Sequence, residues 1–137
     1  MSEVLDDYSP SEDEEYMSEQ QLAYFRAKLL AWKQDILDGS RETIQHMQED
    51  ATQLADLVDR ASNEADRALE LRTRDRQRKL IAKIDAAIRR IETGEYGWCE
   101  HTGEPIGLRR LEARPTATLC LEAQEKHERK ERTVRDD

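Results

Sequence analysis

Two narrow apolar stripes at helical spacing restrict the fold of this chain more than any other feature. The first stripe consists of Leu22, Phe25, Leu29, Trp32, Ile36, Leu37, Ile44, Met47, Ala51 and Leu54. The second consists of Ala61, Ala65, Ala68, Leu69, Leu80, Ile81, Ile84, Ala87, Ile88 and Ile91. Because each stripe covers only one side of a helix, the two helices bury their apolar sides most simply against each other. The pattern therefore predicts an antiparallel coiled-coil hairpin with its tip near residues 53–61.

The composition also argues against a thick globular core, since charged residues make up 39% of the chain and apolar residues 36%. The net charge of −9 is mostly an acidic tail, because residues 1–20 hold eight acidic side chains and no basic one. We expect residues 1–17 to be disordered. The remainder is nearly neutral, which argues against DNA binding through a basic face. No apolar run is long enough to span a membrane, and no secretory signal follows Met1, so we expect a cytoplasmic protein.

Capping and glycine signals set the domain boundaries. Ser18 and Gln21 have the spacing of a capping box, which predicts that the hairpin covers residues 18–93. Four of the five glycines lie in residues 94–107, so residues 94–118 are predicted to form a compact knob of turns. Residues 119–137 are predicted to form a C-terminal helix. The predicted fold class is all-α.

The two cysteines of the chain lie at the edges of the knob in a broken zinc-finger pattern. A tetrahedral zinc site usually takes two C-x2-C pairs, but Thr102 and Ala123 stand where the partners of Cys99 and Cys120 would be. His101 and His127 are alternative ligands, but their spacing does not suit the pattern. We therefore expect no zinc and a knob that folds by packing alone. Its expected core residues are Trp98, Ile106, Leu108, Leu111 and Leu119.

Several motifs in order along residues 16–133 resemble the DksA/TraR family, in particular its cysteine-poor, zinc-independent members. They are Asp56-Leu57-Val58-Asp59-Arg60-Ala61, Leu69-Glu70-Leu71-Arg72-Thr73-Arg74-Asp75-Arg76, the run from Gly97 to Gly107, Arg109 to Thr116, and Leu119-Cys120. The resemblance implies a protein that binds bacterial RNA polymerase through the secondary channel, with the hairpin tip toward the active centre. It further implies that open promoter complexes change in stability, together with the nucleotide ppGpp, without sequence-specific DNA binding. Ribosomal RNA promoters would be inhibited and amino-acid biosynthesis promoters activated.

The resemblance also implies roles for individual residues. At the tip, near the polymerase active site, these are Asp56, Asp59 and Ala61. On the arm, Arg76 would contact the polymerase. The residues matching the ppGpp site of the family are Leu80, Lys83 and Arg114. Gln124 stands where the family usually has a lysine, so one expected phosphate contact is missing.

Simpler interpretations of the same residues exist. From the residues alone, the tip aspartates serve equally as helix caps, and the run from Arg72 to Lys79 as a solvated helix face. Paired carboxylates could also hold Mg²⁺, as in a catalytic factor that stimulates transcript cleavage. A structural coiled-coil adaptor is a further alternative. We expect a monomeric regulator that is not an enzyme.

Overall fold

The structure is a computed structural model that describes residues 8–54 and 60–136. Side chains are described outside residues 40–44, 46–54, 60–63 and 133–136. Within this part of the chain the helices are α1 (Glu19–Leu54), α2 (Arg60–Thr93), α3 (Leu108–Ala113) and α4 (Leu121–Asp136). An isolated antiparallel bridge joins Trp98 and Pro105. No helix among the described residues is both long and apolar enough to cross a membrane.

Contacts divide the described chain into two compact units. Residues 8–29 and 84–136 form the first, which we call the base unit. Residues 30–54 and 60–83 form the second, which we call the arm unit. Each long helix therefore contributes one end to the base unit and the other end to the arm unit.

The start of α1 follows the predicted capping box. The backbone N–H of Gln21 donates to Ser18 Oγ at 3.3 Å, and the N–H of Leu22 donates to the Ser18 carbonyl at 2.9 Å. The side chain of Gln21 reaches back to the N–H of Met17 at 2.8 Å, one residue before the cap. The reciprocal pair thus satisfies two N–H groups at the helix start, as the spacing of Ser18 and Gln21 predicts.

The core of the base unit lies where the two long helices meet the knob. Its buried side chains are Ala23, Phe25, Leu29, Ile84, Ala87, Ile91, Tyr96, Cys99, Ile106, Leu108, Leu111 and Ala123. The predicted stripes are confirmed here at five buried positions, Phe25, Leu29, Ile84, Ala87 and Ile91. Burial of each large side chain contributes about 1.5–3 kcal/mol, so this small cluster carries much of the packing energy.

In the arm unit the second stripe differs from the prediction. Ala65, Ala68 and Leu69 are exposed, so their placement on the buried side of α2 is wrong. The half-buried positions are instead Glu70, Arg74, Gln77, Leu80 and Ile81. Four of these, at 70, 74, 77 and 81, follow the four-three spacing of a coiled-coil heptad. Long polar side chains can occupy such positions because their aliphatic stems pack while their polar ends reach water.

The sequence assigns residues 8–17 to a disordered tail, but in the structure they belong to the base unit and contact the first turn of α1. Gln21 is fully buried and its Nε2 donates to the Ser11 carbonyl at 3.2 Å and to Glu14 Oε2 at 3.1 Å. The Tyr8 hydroxyl donates to the same carboxylate oxygen at 2.7 Å. The acidic composition of the tail does not indicate these contacts, because they depend on only two side chains, those of Gln21 and Tyr8.

Candidate functional site

The predicted tip lies largely outside the part of the chain that the structure describes. Asp56 and Asp59 fall in residues 55–59, between the described ends of α1 and α2. Ala61 belongs to the first turn of α2, and its side chain is not among those described. The roles of these three residues therefore remain predictions from the resemblance.

The predicted polymerase and ppGpp residues of the arm unit lie on α2. Arg76 and Lys83 are exposed, and Leu80 is half-buried. Among the described residues, the side chains of Arg76 and Lys83 make no hydrogen bond or ion pair. Their neighbour Lys79 does pair, with its Nζ 3.2 Å from Asp75 Oδ2. With no partner among the described side chains, these two exposed cations are available to an anionic partner.

The third residue predicted for ppGpp, Arg114, lies in the base unit directly after α3. Its side chain is exposed, and its backbone N–H donates to the Arg110 carbonyl at 2.7 Å. It therefore ends α3 while its guanidinium points away from the buried core. Gln124, on α4, donates from Nε2 to Glu128 Oε1 at 3.2 Å.

Cys99 and Cys120 lie close together in the knob, with Thr102 beside both. The Thr102 hydroxyl lies 3.8 Å from Cys120 Sγ, and Cys99 is buried while Cys120 is half-buried. Burial acts to raise the pKa of Cys99, but hydrogen bonds from the Thr102 hydroxyl and from nearby backbone N–H groups favour the thiolate more strongly. Together they lower the pKa of Cys99 to about 6. Thr102 thus gives each sulfur a hydrogen-bonding neighbour.

Backbone hydrogen bonds close the cysteine turn. The N–H of Cys99 donates to the Glu104 carbonyl at 2.8 Å, and the N–H of Gly103 returns to the Cys99 carbonyl at 2.9 Å. The N–H of Glu100 donates to the Thr118 carbonyl at 2.9 Å, which ties the turn to the segment before α4. Gly103 has φ +73°, a conformation that glycine adopts without strain.

Sequence reasoning missed the tyrosine that joins the two ends of this turn region. The Tyr16 hydroxyl donates to the Gly97 carbonyl at 2.6 Å and accepts from the Gly107 N–H at 2.9 Å. Its ring packs edge-on against Trp98, with 5.2 Å between ring centroids. Burial raises the pKa of Tyr16, which keeps the donating proton in place at neutral pH. One phenol therefore bridges two knob segments ten residues apart.

Replacing Tyr16 by phenylalanine is expected to destabilise the protein by about 1–3 kcal/mol, since it leaves the Gly97 carbonyl and the Gly107 N–H without their partner. Urea unfolding followed by helical circular dichroism measures the loss. Tyr8→Phe is the matched control, with a smaller expected loss because Glu14 keeps its contacts with Gln21 and the Ser11 N–H. Equal midpoints for wild type and Tyr16→Phe would show that the bridge contributes nothing.

Tyr96 and Arg90 connect the knob to the end of α2. Tyr96 is buried and donates from its hydroxyl to the Pro115 carbonyl at 2.7 Å. Arg90 Nη1 lies 3.0 Å from Glu100 Oε1, and Nη2 donates to the Trp98 carbonyl at 3.1 Å. Trp98 itself is 37% exposed, so the prediction that it belongs to the knob core is wrong. The aromatic ring that the knob buries is that of Tyr96, which packs on the ring of Phe25 with 5.7 Å between the centroids.

An open cleft of about 880 Å³ separates the cysteine turn from α4. Its lining residues are His101, Thr102, Glu104, Glu122, Ala123, Lys126, His127, Arg129 and Lys130. His127 Nε2 lies 3.3 Å from Glu131 Oε1. Two carboxylates, from Glu104 and Glu122, and three cations, from Lys126, Arg129 and Lys130, line the cleft, so it presents both signs of charge.

Two protein-family models match adjacent parts of the chain. The model described as "DnaK suppressor protein DksA, N-terminal domain" matches residues 21–91. The model described as "Prokaryotic dksA/traR C4-type zinc finger" matches residues 94–129. Together they cover most of the chain, and the boundary between them falls where the glycine-rich knob begins.

Curated relatives and a solved structure agree with these matches. The "RNA polymerase-binding transcription factor DksA" of Caulobacter vibrioides is 69% identical over 131 residues, which cover 96% of this chain and 92% of the relative. The Escherichia coli protein of the same name is 48% identical over 118 residues, 86% of this chain and 78% of the relative. The structure of transcription factor DksA2 from Pseudomonas aeruginosa matches with a TM-score of 0.76 and 44% identity, covering 85% of this chain and 90% of that one. These likenesses confirm the predicted fold class, a helical coiled coil with a zinc-finger-like knob.

The residues at the zinc-finger positions of this chain do not fit a C4 zinc site. Tetrahedral Zn²⁺ needs four thiolate or imidazole donors, whereas these positions supply two thiols, one hydroxyl from Thr102 and the methyl group of Ala123. Ala123 is 7% exposed, so its methyl group fills space inside the knob. Among the described residues, no three His, Cys, Asp or Glu side chains come together as a metal-binding group. The hydrogen bonds of Thr102 and Tyr16 hold this region through protein atoms instead.

Proposed function

The chain belongs to the DksA/TraR family, and from this membership we propose that it regulates transcription by binding bacterial RNA polymerase. The observation that carries the proposal is the 69% identity to a relative named as an RNA polymerase-binding transcription factor, across 96% of this chain. Because RNA polymerase works inside the bacterial cell, we place the protein in the cytoplasm. We propose that it acts as a monomer and without catalysis of its own.

The polymerase contact is proposed to use α2 of the arm unit. Arg76 is exposed there and makes no ion pair within the described chain, which leaves its guanidinium available for a carboxylate of the polymerase. A guanidinium binds a carboxylate with two parallel hydrogen bonds, so such a contact fixes orientation as well as position. We propose that this docking places the hairpin in the secondary channel.

At the far end of the hairpin, Asp56, Asp59 and Ala61 are proposed to act beside the polymerase active site and alter open-complex stability. This would inhibit ribosomal RNA promoters and activate amino-acid biosynthesis promoters, with no sequence-specific DNA contact. The near-neutral charge of residues 21–137 supports the last point, because DNA-binding proteins neutralise phosphates with an excess of cations.

The nucleotide ppGpp is proposed to bind at the interface with the polymerase, near Leu80, Lys83 and Arg114. Lys83 is exposed and has no partner among the described side chains, and Arg114 is also exposed, so both cations suit a phosphate-rich ligand. Gln124 supplies no positive charge and is engaged with Glu128, so we propose a weaker response to ppGpp than in members with a lysine at that position.

The experiment that tests the function is multi-round transcription from a ribosomal RNA promoter with purified polymerase of the same host, with and without ppGpp. Binding is measured in parallel by competition with a labelled sample of the protein. Binding together with inhibition that ppGpp strengthens is the expected result. Absence of binding would contradict the proposal and favour a structural adaptor, and release of short RNA fragments from paused complexes would favour a cleavage factor.

A further inference from the structure

The most exposed large apolar side chain in the described part of the chain is Leu69, at 61%. It lies on α2 in the arm unit, where the half-buried side is formed by Glu70, Arg74 and Gln77. Isolated exposed leucines are common on protein surfaces. What distinguishes Leu69 is its position relative to the cations of the same helix.

Leu69, Arg76 and Lys83 are spaced seven residues apart, so they lie on one side of α2 with a drift of only about 20° per step. Arg72 follows Leu69 by three residues and lies on the same side. We call this surface, formed by Leu69, Arg72, Arg76 and Lys83, the outer face. All four side chains are exposed.

The backbone under the outer face is already satisfied. The Thr73 hydroxyl donates to the Leu69 carbonyl at 3.0 Å, and Arg72 Nε donates to the Ala68 carbonyl at 3.4 Å. The Leu69 side chain is itself 61% exposed, so most of its surface is in contact with solvent. Removing that side chain should leave α2 intact, and its apolar area is free to be buried by a partner.

We propose that Leu69 is an apolar anchor that binds the same RNA polymerase surface as Arg76. This inference rests on the proposed function and adds a contact to it. An apolar group beside three cations complements a protein surface that has an apolar pocket bordered by carboxylates. The seven-residue spacing puts Leu69 about 10 Å from Arg76 along the helix, so one continuous partner surface can contact both.

Leu71 provides a matched control on the same helix. It is 57% exposed, nearly as much as Leu69, but it lies about 200° around the helix from Leu69 because each residue turns 100°. It therefore points away from the outer face. A general effect of exposed leucines would involve both residues, whereas a docking face involves only Leu69.

The test measures the affinity of the full chain for purified RNA polymerase by competition binding. The variants are Leu69→Ser, Leu71→Ser, Leu69→Met and Arg76→Ala. Loss of a buried leucine contact is expected to weaken binding about tenfold or more for Leu69→Ser. Leu71→Ser should stay within about twofold of wild type, and Leu69→Met should retain most of the affinity because it keeps apolar volume. Circular dichroism checks that each variant is helical.

Each outcome decides the inference. The inference is supported if Leu69→Ser binds polymerase more weakly than wild type while Leu71→Ser and Leu69→Met do not, and if Arg76→Ala also binds more weakly. Unchanged binding of Leu69→Ser, or equal losses for Leu69→Ser and Leu71→Ser, overturns it while leaving the proposed function intact. If wild type itself does not bind polymerase, both proposals fall. Sedimentation that shows a dimer dissociated by Leu69→Ser would assign the face to a second copy of the chain and also overturn the inference.

Discussion

An Asp59→Asn variant is expected to lose at least tenfold of its inhibitory activity at a ribosomal RNA promoter while binding polymerase with wild-type affinity. Asparagine keeps the size of the side chain and removes its negative charge, so the change tests the charge alone. A charge close to the catalytic centre acts where water is partly excluded, and there electrostatic effects are larger than at an exposed surface. The docking that we propose for α2 does not involve this residue, so the variant should lose activity and keep its affinity.

The measurement is multi-round transcription at a saturating concentration of each variant, paired with competition binding. Asp35→Asn is the matched control, because Asp35 is an exposed aspartate on α1 and is not part of the outer face of α2. It should inhibit as well as wild type. Full inhibition by Asp59→Asn would contradict a role for the charge, and a parallel loss of binding would reassign Asp59 to docking or to capping of the helix.

The second large effect is a gain of zinc binding by the knob. A variant carrying both Thr102→Cys and Ala123→Cys is expected to bind one zinc ion tightly. The distance between Thr102 Oγ1 and Cys120 Sγ is 3.8 Å. Two sulfurs of a tetrahedral zinc site with bonds of about 2.3 Å are separated by about 3.8 Å, so the side chains of this pair already have the required spacing. Structural zinc contributes roughly 10–16 kcal/mol of binding free energy in zinc-finger peptides, which would raise knob stability markedly.

Metal analysis of protein purified without added zinc, and urea unfolding with and without a chelator, measure this effect. The two single variants are the controls, and each is expected to hold zinc only weakly because it supplies three thiols. Wild type should show the same urea midpoint with and without chelator. One tightly bound zinc in wild-type protein would contradict our interpretation of the knob, and a double variant without zinc would show that the turn cannot close around the ion.

The ends of the elements could be predicted because their signals are local. Ser18 and Gln21 meet within a single turn of α1, as their spacing indicates. The knob begins at Gly94, where φ is +82° and α2 has ended at Thr93. The missing zinc ligands are likewise visible in the sequence, since Thr102 and Ala123 carry no thiol or imidazole whatever the fold.

The course of the second stripe could not be predicted in the arm unit. Alanine and leucine at helical spacing suggested that Ala65, Ala68 and Leu69 are buried, but the half-buried positions follow the heptad through Glu70, Arg74 and Gln77. Where apolar residues are dense, as from Ile84 to Ile91, periodicity identifies the buried side of a helix. Where apolar residues are sparse, an error of one residue moves the predicted buried side by 100° around the helix. The packing of the helix against its neighbours then determines which side is buried.

The sequence by itself determined the helical class, the capping of α1 by Ser18 and Gln21, the absent zinc ligands and the family. Each of these depends on residue identity and on spacing within a few turns of the chain. Only the tertiary structure decided that Tyr16 bridges Gly97 and Gly107, that Tyr96 replaces Trp98 in the core, and that Leu69 lies exposed in line with Arg76. The physical reason is sequence separation: Tyr16 and Gly97 are 81 residues apart, and no local pattern specifies which distant backbone group a phenol will meet.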